Sequence, residues 1–230
     1  MTKLCVHRGE EPIHAIVFDM DNTLFDLVKA KLNACRKVTG HVGINDGEEL
    51  FEYFLRDEVG FEDVKNIADY LRDRGFFEET VYRDCREIYE NEKLENLQVY
   101  DGVRETLSYL NSQGLRLGLV SDANRKNVQA RLERTKLGKY FDTTVSRERT
   151  GKTKPEPEPV KSALNDLGVD PENAMMVGDS LRRDIAPGKG LGMVTAHAEY
   201  GDRNLESEEG PESDFGLQNP RDLVDLLKAS

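Results

Sequence analysis

His14-Ala15-Ile16-Val17-Phe18-Asp19-Met20-Asp21-Asn22-Thr23-Leu24 is the stretch on which the reading of the chain turns. The apolar run from Ala15 to Phe18 is short and is followed by turn-forming residues, the pattern of a buried strand. Asp19 and Asp21 stand where that strand stops. In an open α/β sheet, ligands bind outside the carboxyl ends of the strands. Two acids placed there repel each other and lose hydration, and a metal cation relieves both costs. The plainer reading is a strand followed by an Asp-Asn turn whose acids are solvated.

Around this stretch the composition narrows the classes. The 230 residues suit one domain or a core with an inserted subdomain. Hydrophobic residues make up 37%, enough for a packed core, and 33% are charged. A net charge of −12 argues against a nucleic-acid footprint, which needs clustered Lys and Arg. No apolar run reaches the length of a membrane span, and the polar leader Met1 to Pro12 lacks a signal-peptide pattern. These features point to the cytoplasm. Cys5, Cys35 and Cys85 are scattered, which suits buried or incidental thiols in a reducing compartment. His7, His14, His41 and His197 lack metal-ligand spacing and read as structural or surface residues.

From Asp26 to about Gln98 the apolar positions recur at helical spacing: Leu27, Ala30, Ala34 and Val38, then Val64, Ile67, Ala68 and Leu71, then Val81, Cys85, Ile88 and Tyr89. Residues 26–98 are therefore expected to form an all-helical insert. After Tyr100, strands and helices alternate. Leu115 to Val120, Phe141 to Val145, Ala174 to Val177, Met193 to Ala196 and Asp214 to Leu217 read as strands, separated by helical segments. This predicts a mostly parallel sheet covered on both faces, with 1–25 and 99–230 forming the core. A basic helix carrying Arg125, Lys126, Arg131, Arg134 and Lys136 reads as a solvated face.

Three of the apolar strands end in polar side chains: Asp19 with Asp21, Ser121, and Asp179. Lys154 sits in a loop stiffened by Pro155, Pro157 and Pro159. In a parallel sheet these ends share one edge, so carboxylates, a hydroxyl and an ammonium converge. That set suits phosphoryl transfer, because a phosphate monoester dianion needs a cation and fixed donors. Mg²⁺ prefers oxygen ligands and is held by a few carboxylates, waters and substrate phosphate.

The order and chemistry of these segments resemble the haloacid dehalogenase superfamily, in its phosphatase-like branch. Asp19-Met20-Asp21-Asn22-Thr23, Val120-Ser121-Asp122-Ala123, Lys154-Pro155-Glu156-Pro157 and Gly178-Asp179-Ser180-Leu181-Arg182-Arg183-Asp184 resemble its four motifs in sequence order. The resemblance implies a Rossmann-like doubly wound parallel sheet, with a helical cap between the first and second motifs that closes over the crevice on hinges near Leu24–Asp26 and Gln98–Asp101. It implies a Mg²⁺-dependent hydrolase of small phosphate monoesters working through an aspartyl-phosphate. Asp19 is then the nucleophile and Asp21 the general acid and base. Ser121 and Lys154 bind phosphate. The metal lies on Asp19, Asp179 and the backbone carbonyl of Asp21, and Asp184 either orients water from behind these ligands or itself sits on the metal. Asn22 and Thr23 shape the loop. One departure from the family pattern is Asp122, where Asn is frequent.

Asp21 separates subclasses: a halide leaves without a proton, whereas an alkoxide needs one, so ester hydrolysis is favoured over dehalogenation. Phosphonate cleavage through a Schiff base would need a cap lysine, and Lys29 and Lys31 read as a solvated helix face. A sugar-phosphate mutase and a non-catalytic phosphate-ligand binding protein are the alternatives. The implied partner is a small phosphorylated metabolite, with no nucleic acid and no membrane, acting on a monomer or weak homodimer.

Overall fold

The computed structural model describes residues 12–56, 58–203 and 210–228. Cys5, His7, most of the leader and the acidic stretch Glu206 to Glu209 lie outside the described residues. The chain divides into two compact units, Met1–Asp26 with Val99–Ser230, and Leu27–Gln98. The sequence reading put the first border after Phe25. Asp26 belongs with the first unit, where its carboxylate pairs with Arg203 at 2.8 Å.

The first unit is an α/β fold. Its strands are β1 (Ala15–Asp19), β2 (Arg116–Val120), β3 (Thr143–Val145), β4 (Ala174–Gly178), β5 (Val194–Ala198) and β6 (Phe215–Leu217). They form one sheet in the order β3-β2-β1-β4-β5-β6, every pair parallel. This is the doubly wound Rossmann-like order, which reverses between β1 and β4. Both of those strands are buried along their whole length, which is why their sequences are unbroken apolar runs rather than alternating ones. Strand β5 runs two residues past the predicted end, taking in His197 and Ala198. His197 is buried there because its Nε2 lies 3.0 Å from the Asp179 backbone carbonyl.

Helices of this unit are α5 (Val103–Ser112), α6 (Arg125–Thr135), α7 (Arg147–Thr150), α8 (Glu158–Leu167), α9 (Ala186–Gly190) and α10 (Asp222–Lys228). Helix α8 has Pro in its first turn, where the missing N–H costs no bond. Its Val160, Ala163, Leu164 and Leu167 pack with Val17, Val120, Val145 and Met176 from the sheet. Asp170-Pro171 starts a single 3₁₀ turn, Pro171–Asn173, directly before β4.

The second unit is helical: α1 (Leu27–His41), α2 (Gly47–Tyr53), α3 (Lys65–Asp73) and α4 (Glu79–Glu95). Asp46 caps α2, its side chain accepting from the Glu49 N–H at 3.0 Å. The helices enclose Ala34, Val38, Leu50, Ile67 and Leu71, with Phe54 stacked on Tyr89 at a ring separation of 4.9 Å. Lys31 departs from the solvated role expected of it. It is fully buried, its ammonium 3.2 Å from the centre of the Phe61 ring and donating to the Phe61 carbonyl. An aromatic face and a carbonyl replace its water. Among the described residues, no helix is long and apolar enough to cross a membrane.

Met176 is fully buried at the centre of the sheet core. Met176→Ala is expected to destabilise the first unit by about 2–4 kcal/mol, read as a lower urea midpoint. Cys35 and Cys85 are buried in the helical unit, and burial pushes their thiols up to about 12 and about 11. In a Cys5→Ser background, neither thiol should react with an aromatic disulfide reagent at pH 8 until urea unfolds the chain.

Candidate active site

The carboxyl ends of β1 and β4 face one crevice at the point where the strand order reverses. Strand β1 delivers Asp19 as its last residue, and Asp179 follows the end of β4. A carboxylate oxygen from each of Asp19, Asp179 and Asp184 lies within 4.8 Å of the others, and all three residues are buried. Lys154 enters from the loop before α8. Its Nζ pairs with Asp184 Oδ1 at 2.5 Å and with Asp19 Oδ1, and its side chain is 2% exposed. The Thr23 hydroxyl lies between the other two acids, 3.1 Å from Asp19 Oδ2 and 3.2 Å from Asp179 Oδ1. A residue expected only to shape the loop thus joins the acid cluster.

Asp184 reaches this cluster because the chain after β4 makes a single π-helical turn, Leu181–Ile185, a distortion frequent at functional sites. Ser180 Oγ accepts from the Arg183 N–H at 3.0 Å, and the Ser180 N–H donates to Asp184 Oδ2 at 3.0 Å. Gly178 leaves the space: a Cβ there would stand 2.4 Å from both Cβ and Cγ of Asp184. The family resemblance left Asp184 either behind the ligands or on the metal. Its carboxylate lies among those of Asp19 and Asp179.

Asp21 is two residues past the nucleophile candidate and faces a different partner. Its Oδ2 pairs with the Arg131 guanidinium at 2.7 Å. Arg131 is 2% exposed, which overturns its reading as part of a solvated basic face: a buried cation needs a counter-charge, and Asp21 supplies one. Nothing in the local pattern of α6 marks Arg131, because the partner is 110 positions away. Ser121 is buried at the end of β2, its Oγ accepting from the Ala123 N–H at 3.2 Å. Asp122 turns its carboxylate to the loop that carries Lys154, accepting from the Lys154 backbone N–H at 2.9 Å.

Two contacts brace the loop after β1. Tyr200 donates its hydroxyl to the Thr23 carbonyl at 2.9 Å. Asn22 takes a left-handed conformation, φ 62°, and its carbonyl lies so near Gly201 that a Cβ there would stand 1.8 Å away. Neither Tyr200 nor Gly201 carries a signal in its own sequence neighbourhood.

The electrostatics follow from burial. Burial raises the Asp179 carboxyl well above the usual carboxylate range, and the charges of Asp19 and Asp184 raise it further. Burial likewise raises Asp184, with Lys154 opposing. Burial pushes the Lys154 ammonium down, but Asp184, Asp19 and Asp122 outweigh it and hold its pKa above the ordinary lysine value. Arg183 behaves alike: burial lowers it, and Asp184, Asp179 and Asp19 raise it more. Three acids thus crowd a site with an all-oxygen donor set, which fits a hard divalent cation. Gly178→Ala is expected to push Asp184 out of the cluster. A divalent cation is expected to raise the melting temperature of the parent chain, and in a melting series that rise should shrink or vanish in the variant.

Comparison with known proteins agrees with this geometry. Residues 16–198 match the family model described as haloacid dehalogenase-like hydrolase. The chain is 34% identical to the phosphoglycolate phosphatase of Aquifex aeolicus over 94% of its own length and 97% of the relative's. It is also 34% identical to the pyrophosphatase PpaX of Bacillus cereus strain AH820, over 94% and 96%. Among solved structures, a HAD phosphatase from Thermococcus onnurineus superposes with a TM-score of 0.66 at 27% identity, covering 94% of this chain and 98% of that one. The chain belongs to the haloacid dehalogenase-like hydrolases.

Proposed function

We propose that this hydrolase is a Mg²⁺-dependent phosphatase of small phosphate monoesters that works through an aspartyl-phosphate on Asp19. The observation that carries the reading is the buried Lys154 ammonium set between Asp19 and Asp184, beside Asp179. Such a site is charged and pre-organised to receive an anion together with a cation. The family and the phosphatase names of the relatives support it.

Each step is assigned to a named side chain. An Asp19 carboxylate oxygen attacks phosphorus, and the bond to the ester oxygen breaks. Lys154 and the Ser121 hydroxyl hold phosphoryl oxygens as charge moves among them. Asp21, two residues further on, protonates the departing oxygen. It then takes a proton from the water that hydrolyses the aspartyl-phosphate. Thr23 keeps the carboxylates of Asp19 and Asp179 in register by its shared hydroxyl. Asp19, Asp179 and Asp184 are the residues that would hold Mg²⁺, which supplies charge neutralisation between the nucleophile and the phosphoryl group.

The test is phosphate release from a panel of aryl and alkyl phosphates, including phosphoglycolate and pyrophosphate, with Mg²⁺ and with EDTA. Metal-dependent release is expected, and its absence across the panel would favour a binding protein instead. Asp19→Asn should reduce turnover of every ester to background. Asp21→Asn should slow the single-turnover burst of alkyl phosphates by about 10²–10⁴-fold, and that of aryl phosphates with good leaving groups much less. Equal slowing of both ester types would remove Asp21 from the role of general acid.

A further inference from the structure

We propose a second ligand site in the first unit, lined by none of the residues of the acid cluster, that takes an amphipathic anion of metabolite size: an apolar body carrying phosphate, sulfonate or carboxylate. The site is a groove of about 870 Å³ between α6 and the edge strand β3. That volume lies within the range of small-molecule pockets, roughly 300–1,000 Å³. Val128, 3% exposed, and the half-buried Leu132 give the groove apolar walls. Arg125, Lys136, Lys139 and Arg149 also line it, all exposed.

The charge of this region runs against that of the chain. The protein carries −12 overall, yet between Arg125 and Lys152 there are nine basic residues and three acidic ones. Several cations elsewhere are matched with carboxylates: Arg36 with Glu48, Arg56 with Asp69, Arg203 with Asp26 and Arg221 with Asp101. At the groove, Arg149 pairs with Asp166 at 2.6 Å. Arg125, Lys136 and Lys139 have no carboxylate partner among the described residues. Two acids also line the groove, and both are engaged. Glu133 accepts from Gln129 at 3.0 Å, and Glu148 accepts from the Arg125 backbone N–H at 2.8 Å. Three cations without counter-charges, set around apolar walls, favour a ligand that brings both an anion and a hydrophobic surface. Neither feature alone asks for that combination: a solvated basic face has no concave apolar wall, and an apolar groove has no reason to collect unmatched cations.

The probes are naphthalene-2-sulfonate, neutral 2-naphthalenemethanol and inorganic sulfate, each titrated into the full chain by calorimetry. The sulfonate should bind at one site per chain and weaken as salt rises. The neutral alcohol and sulfate should each bind at least about tenfold more weakly, a difference of about 1.4 kcal/mol. The double variant Arg125→Gln/Lys139→Gln alters only exposed side chains. It should lose about tenfold in sulfonate affinity while its melting temperature and phosphate-ester hydrolysis stay unchanged. No binding of the sulfonate, equal binding of the neutral alcohol, or undiminished binding by the double variant would each overturn the proposal. None of these readouts depends on the chain being a phosphatase.

Discussion

Three carboxylates buried within reach of one another cannot all remain charged without compensation, and the first unit is built around that constraint. Lys154 answers part of it by lying between Asp19 and Asp184, and the Thr23 hydroxyl answers another part between Asp19 and Asp179. The same acids hold the Arg183 guanidinium charged, and their all-oxygen donor set fits a hard cation. Arg131, also buried, draws Asp21 out of this competition. Two acids separated by a single residue therefore meet different partners: Asp19 lies with Lys154, Thr23 and the other carboxylates, and Asp21 with the Arg131 guanidinium.

The sheet makes such crowding attainable. Parallel strands end on one side, and the reversal of order between β1 and β4 leaves a gap between their connections. Asp19 and Asp179 arrive there from strands that are neighbours in space, although 160 residues separate them in sequence. The backbone registers of β1 with β2 and of β1 with β4 fix the level at which each strand stops. Ser121 and the acids consequently come from strand ends held by the same ladder of hydrogen bonds.

Much of this is legible in the sequence. Uninterrupted apolar runs ending in Asp19, Ser121 and Asp179 marked strands buried on both faces, and the alternation with helices marked a parallel sheet. What escaped was whatever depends on a distant partner. Arg131 sits among other basic residues on α6, and only the fold reveals that Asp21 lies against it. Lys31 looked solvated because its surroundings, Phe54 and Phe61, come from later in the chain. The position of Asp184 turned on a π-helical turn and on the missing side chain of Gly178, and helical periodicity registers neither. The end of β5 was misjudged because His197 is polar, and its burial rests on the Asp179 carbonyl.

The loop that presents Asp19 is held from the far end of the sequence. Tyr200 bonds the carbonyl of Thr23 across 177 positions, and Gly201 fits against the carbonyl of Asn22 with no room for a side chain. During synthesis Asp19 is therefore made well before the residues that shape its loop. A nascent or truncated chain that stops short of Tyr200 carries every acid of the cluster and still lacks the buttress that sets the first of them.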